Sequence, residues 1–117
     1  MTDARLPRAE RVRKRAAFVA VQNRGRKLHT DSFLVFVLPS STPQALPRLG
    51  VTVSKKVGGA VQRNRVKRLV REAFRRRKAL FPRGVDLVFI AKKTAISADG
   101  AKVGREIEAL CARHFHS

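Results

Sequence analysis

The residues best placed to do chemistry lie between Lys55 and Lys78, where eleven Lys and Arg face a single acid, Glu72. The spacing predicts a helix over about Val61 to Lys78, because Val66, Leu69, Val70, Ala73 and Phe74 recur at i, i+3, i+4, i+7 and i+8 and so share one apolar stripe. On a helical wheel Asn64, Arg68, Arg71 and Arg75 fall opposite that stripe, flanked by Arg65 and Lys67. Like charges three and four residues apart repel on a helix, and Glu72, the one acid, can neutralise Arg68 or Arg76 in part. A merely solvated helix face mixes its signs; this one does not. Phosphates seated on the ladder would offset its self-repulsion, since guanidinium forks onto phosphate and stacks on bases. Each neutralised phosphate also releases counterions.

A second feature is Phe18. It shares an angular sector with Arg11, Arg15 and Gln22 and points away from Val12 and Val19. An aromatic among arginines can stack an unpaired base, worth ~1–3 kcal/mol; the alternative is packing against a neighbouring element. Phe33 and Phe36 point to opposite faces of a strand, so one is core and the other is available to an open stacking surface.

Catalytic candidates are poor. The histidines are His29, His114 and His116, and the acids are scattered. Glu106 and Glu108 are two apart and do not face each other on a helix. Gly58-Gly59 lacks the Lys and Ser/Thr of a phosphate loop. His114-x-His116 is a weak chelate at the chain's end. No catalytic residue and no metal ligand set is expected in the protein.

The elements that must position these residues fit one domain. The chain has 117 residues, 44% of them hydrophobic, and a net charge of +19. A single domain over 1–117 with a flexible tail over 1–7 is expected. The charge lies mainly in residues 1–30 and 55–78, with a neutral apolar stretch between them. Nucleic acid is therefore the expected partner, rather than a membrane or a small-molecule substrate. The lone Cys111 excludes an internal disulfide and paired-cysteine zinc patterns, and it points to a reducing cytoplasm. No apolar run approaches the ~20 residues of a membrane span.

The first helix is expected over Arg8 to Asn23, with Val12, Ala16, Val19 and Ala20 inward and Gly25 as its stop. Strands are expected at Ser32–Leu38, Leu49–Ser54 and Val85–Ala91, with a basic turn over Lys55–Gly59. A last helix is expected over about Ala98 to Phe115, with Val103, Ile107, Leu110, Cys111 and His114 inward. The pattern gives α-β-β-α-β-α, an α+β fold with helices packed on a small sheet.

The stretch Val53 to Arg76, VSKKVGGAVQRNRVKRLVREAFRR, closely resembles the signature of the bacterial ribonuclease P protein family. Its centre is Arg63-Asn64-Arg65 followed by Lys67-Arg68 and Arg71, with Lys55-Lys56 and Gly58 ahead. Phe18, the aromatics of the Ser32–Leu38 strand and Ala91-Lys92-Lys93 extend the likeness over most of the chain. The resemblance implies a small protein partner of a large catalytic RNA that removes the 5′ leader of precursor tRNA. The RNA would carry the active site and its Mg2+. The implied fold is an α-β-β-β-α-β-α two-layer sandwich with a left-handed βαβ crossover, as in the second domain of a small-subunit ribosomal protein. A further strand is then expected near 26–32 or 40–48. Carried over residue by residue, Arg11, Arg15, Phe18, Phe36, Thr52 and Lys93 belong to a cleft for the single-stranded leader. Lys55, Lys56, Arg65, Lys67, Arg68 and Arg71 belong to the RNA-subunit surface; Arg63 and Asn64, at the helix start, join that set and border the other. Gln22 stands where many members carry a second aromatic. Two other readings, a structural RNA-binding protein and a DNA-binding helix, rest on charge alone. The second would need a helix before the basic one, where a strand is expected.

Overall fold

A computed structural model describes residues 10–115; the expected tail over 1–7 and His116 lie outside them. The elements are α1 (Arg15–Arg24), β1 (Arg26–His29), β2 (Phe33–Pro39), β3 (Arg48–Thr52), α2 (Ala60–Arg77), β4 (Val85–Ala91) and α3 (Gly100–His114). Short 3-10 turns follow α2 at Lys78–Leu80 and β4 at Lys93–Ser97. The order is α-β-β-β-α-β-α, and the fold is α+β.

The sheet runs β1-β2-β4-β3. β1 and β2 are antiparallel, as are β2 and β4, whereas β3 lies parallel to β4 and reaches it through α2. Period-2 alternation sends Phe33, Val35, Val37, Leu49, Val51, Leu87 and Phe89 to one face, where they bury against Val66, Val70, Phe74, Val103 and Ile107 of α2 and α3. Phe33 and Phe89 meet edge-on at 5.6 Å. This is the sandwich that the residue pattern implied, and α1 adds cover on part of the opposite face.

Two elements differ from the pattern reading. β1 reads Arg-Lys-Leu-His, with only Leu28 buried. It is a charged edge strand, blunted against further pairing, and so carries no apolar run to betray it. The first helix begins at Arg15 and not Arg8, because Arg11 and Val12 are spent on the sheet. Arg11 bridges Leu49 in parallel register, and the Val12 N–H donates to the Leu49 carbonyl at 2.9 Å. Val12 is buried as expected, but from extended chain. Within α1 the buried residue is Val21, while Val19 is 42% exposed and Ala16 is exposed. Gly25 ends α1 with its N–H on the Val21 carbonyl; a Cβ there would lie 2.4 Å from that oxygen. His114 is half-buried rather than core, and the thiol of buried Cys111 is pushed up to about 11 by its apolar surroundings.

Candidate nucleic-acid interface

The second face of the sheet carries three cross-strand rows. Lys27, Phe36, Val88 and Gly50 form the middle one; His29, Leu34, Ile90 and Thr52 form the row on one side, and Leu38, Asp86 and Arg48 the row on the other. α1 packs on this face against β2 and β4, and Phe18 reaches across to Gly50 of β3, where an added Cβ would stand 2.7 Å from two ring carbons. The glycine is thus a seat for the ring. Phe18 is half-buried, so it both packs on the sheet and borders a cleft lined by Arg13, Arg15, Val19, Gln22 and Thr52. Such a cleft offers a ring, an amide, a hydroxyl and two exposed guanidiniums, a set suited to a base and its flanking phosphates.

The structure brings Arg15, Phe18 and Thr52 together as the sequence implied and adds Arg13, Val19 and Gln22. Phe36 stands apart. It shares the row of Gly50, but Val88 lies between them, which places it two strand spacings, about 10 Å, from the seat of Phe18. Arg11 also leaves the cleft lining, because its strand pairing turns it toward α2. Lys93 is exposed just past β4, at the same end of the sheet as Thr52 and outside the lining. Arg13 escaped the sequence reading because a helix started at Arg8 gives it the wrong angle.

α2 splits the guanidinium ladder into two halves. In the C-terminal half, Glu72 accepts from Arg75 and Arg76, each at 2.8 Å, and not from Arg68; the bond from Arg75, ahead of the charge of Arg76, holds its carboxyl below the ordinary range. Arg77 donates to Glu108 at 2.7 Å and to the Ala73 carbonyl, with its guanidinium lying over Gly104 of α3. Lys78 pairs with the buried Glu10. These cations hold the fold together. In the N-terminal half, Asn64 and Arg68 are exposed and Arg63, Lys67 and Arg71 half-buried, none with a carboxylate partner among the described residues. Arg65 serves both purposes: it is exposed, yet donates at 3.0 Å to the Ala98 carbonyl and at 3.4 Å to that of Ile96, tying the turn before α3 to α2. Lys55 and Lys56 are exposed on the turn that leads into α2.

The start of α2 is ready for anions. Gln62 accepts from the Gly59 N–H at 3.0 Å, and the first turn carries no acid, which leaves backbone donors and the positive end of the helix dipole beside Lys55 and Lys56. A Cβ on Gly58 would lie 2.5 Å from the Gln62 side chain and 2.8 Å from Ile96, so this glycine keeps the entry tight.

The acids lie elsewhere. Asp86 accepts from Nε and Nη2 of Arg48, at 2.8 and 2.7 Å. Asp99 caps α3 by accepting from the Lys102 N–H, and Asp31 pairs with the Lys102 ammonium. Glu106 accepts from the Ser32 N–H and hydroxyl at 2.8 and 2.7 Å. Burial works to raise its carboxyl, but the donors around it, the Ser32 hydrogen bonds and the Lys102 ammonium among them, outweigh it and hold the group below its ordinary value. Every carboxylate of the described residues therefore has an intramolecular partner, and the cleft and the outer face of α2 are left to cations. Among the described residues no three His, Cys, Asp or Glu gather as a metal site, and no helix is long and apolar enough to cross a membrane.

Comparison with known proteins agrees with this fold. The family model for ribonuclease P matches residues 6–114. The ribonuclease P protein component of Desulfovibrio desulfuricans is 49% identical over 110 residues, covering 92% of this chain and 85% of the relative. That of Citrifermentans bemidjiense is 41% identical over 113 residues, with 97% and 95% coverage. Among solved structures, the RNase P protein of Staphylococcus aureus superposes with a TM-score of 0.80 at 29% identity, over 92% of this chain and 97% of that one. The RNase P protein of Thermotoga maritima gives 0.79 at 33% identity, over 92% and 99%.

Proposed function

The chain belongs to the ribonuclease P protein family, and from that premise we propose how its two basic surfaces divide the work. The N-terminal half of α2, with Lys55 and Lys56, binds the RNA subunit. The cleft around Phe18 takes the single-stranded 5′ leader of precursor tRNA. The RNA subunit, with its Mg2+, carries the hydrolysis; the protein supplies affinity and position. The observation that carries this reading is the sorting of charge: the described acids are committed to the fold, while Arg13, Arg15, Arg68, Lys55 and Lys56 stand exposed around one ring-bearing cleft and one helix. An enzyme acting on many precursors must tolerate leader sequence, and ring stacking with phosphate contacts does so. The lone buried cysteine suits the cytoplasm, where we place the protein.

The test is cleavage of precursor tRNA by a bacterial ribonuclease P RNA at low Mg2+, with and without the protein. The expected result is strong rescue by the protein and no cleavage by the protein alone. Binding to that RNA without rescue would refute the proposal.

A further inference from the structure

Arg11 and Arg71 fall into the two different sets, leader and RNA subunit, that the family resemblance implies, yet the fold brings them together. Residues 11 and 12 extend the sheet through the bridge to Leu49. Just ahead, Glu10 is buried and paired with Lys78, which is seven residues beyond Arg71 and so on the same flank of α2. The segment 10–12 thus runs beside that flank. Arg71 is half-buried there; burial, and next the charge of Arg11, disfavour its charged form.

No carboxylate relieves the pair among the described residues. Glu10 is taken by Lys78, and Glu72 by Arg75 and Arg76. The Nε of Arg11 is buried without a hydrogen-bond partner, as is the Nε of Arg63, which with Lys67 continues the flank at i−8 and i−4 from Arg71. Backbone pairing and a neighbouring ion pair hold these like charges close. A buried donor without a partner and an uncompensated charge each carry a free-energy cost, and an anion would satisfy both.

We propose that Arg11 and Arg71 form one anion site that clamps a single RNA phosphodiester between the N-terminal strand segment and α2. Phosphate fits because its oxygens accept forked donors from two guanidiniums at once. The inference rests on the RNA-binding reading above and deepens it. Two residues beyond Arg11 the chain enters the cleft at Arg13, so the site lies where the leader surface and the α2 surface join. The phosphate comes from the leader or from the RNA subunit, and the chemistry of capture is the same.

The test begins with the unaltered protein. Inorganic phosphate is titrated while the arginine Nε–H resonances are followed by NMR. Arg11 and Arg71 are expected to shift together with one midpoint. Different midpoints, or shifts no larger than those of the exposed Arg105, overturn the site. Arg11→Gln and Arg71→Gln are each expected to weaken phosphate roughly ten- to hundredfold, as for a lost hydrogen bond to a charged group, with the double variant little worse than either; independent, additive losses overturn the clamp. Weaker binding of Arg11→Gln to ribonuclease P RNA alone assigns the phosphate to that RNA. A loss seen only in the assembled enzyme, and only for precursor over mature tRNA, assigns it to the leader. A loss in neither overturns the RNA assignment. If phosphate finds no site while the protein still rescues cleavage, the clamp fails and the proposed function stands; bound phosphate without rescue gives the reverse.

Discussion

Gly50→Ala is expected to damage leader binding without touching a residue that meets RNA. A Cβ at this position stands 2.7 Å from two ring carbons of Phe18 and 3.2 Å from the Val12 Cβ, so the ring must leave its seat. Its stacking geometry is lost with it. Base–aromatic stacking contributes ~1–3 kcal/mol, which at 1.4 kcal/mol per decade is about 5- to 150-fold in affinity. Overpacking at this point costs about 1–3 kcal/mol of stability, read separately from thermal melting. The assay measures dissociation constants of precursor and mature tRNA on the assembled enzyme at fixed salt, with Phe18→Ala in parallel. Both variants are expected to weaken the precursor by a similar factor and to leave mature tRNA and RNA-subunit affinity unchanged. Normal precursor affinity in a folded Gly50→Ala protein would refute the placement of Phe18 as the stacking ring.

Three more outcomes follow from the partner assignments. Arg68→Ala is expected to lower the salt slope of RNA-subunit binding by about one, whereas Arg77→Ala, which breaks the contacts to Glu108 and Gly104, is expected to cost about 1 kcal/mol of melting stability with the slope unchanged; equal slope changes would contradict the split of the ladder. Gly84→Ala places a side chain at φ +73° against the Pro43 carbonyl and is expected to cost about 1–3 kcal/mol in chemical denaturation without changing RNA affinity. Glu106 is held below its ordinary pKa of 4.5, so its ionised form stabilises the fold above that value and the contribution drains as pH falls through the lower folded value; melting followed from pH 6 downward is expected to fall less steeply in Glu106→Gln, and an unchanged slope would contradict the assignment.

How much of this was legible in the sequence depends on the range of the interaction involved. The apolar stripe of α2 and the strands β2 and β4 are local patterns, and they stand where periodicity puts them. β1 is invisible to the same method, because an edge strand needs only one inward residue, Leu28, and is protected by the charges around it. The start of α1 depends on Leu49, far along the chain, which captures residues 11 and 12 before a helix can form. The site follows the same logic. That α2 carries the densest run of positive charge is written in its composition. Which of its arginines are free depends on Glu108 and on the carbonyls of Ile96 and Ala98, none of them near in sequence. The role of Gly50 had no local signal at all, since its meaning is the ring above it.

On the proposed division of work, the two surfaces meet at the free edge of β3. β4 covers one side of this strand, and the N-terminal segment pairs with the other only at Leu49. On one face of that edge lie Thr52 and the ring of Phe18; around it, on the flank of α2, lie Arg63, Lys67 and Arg71. A strand separates two binding surfaces by little more than its own width, roughly 5 Å. The parallel crossover from β3 through α2 makes this possible, because it returns the basic helix beside the strand that floors the cleft. An antiparallel hairpin at the same point would have placed β4 directly after β3, leaving no helix there. The topology therefore leaves one continuous cationic margin that, on the proposed function, the leader and the RNA subunit would share, with the described carboxylates committed to partners elsewhere in the fold.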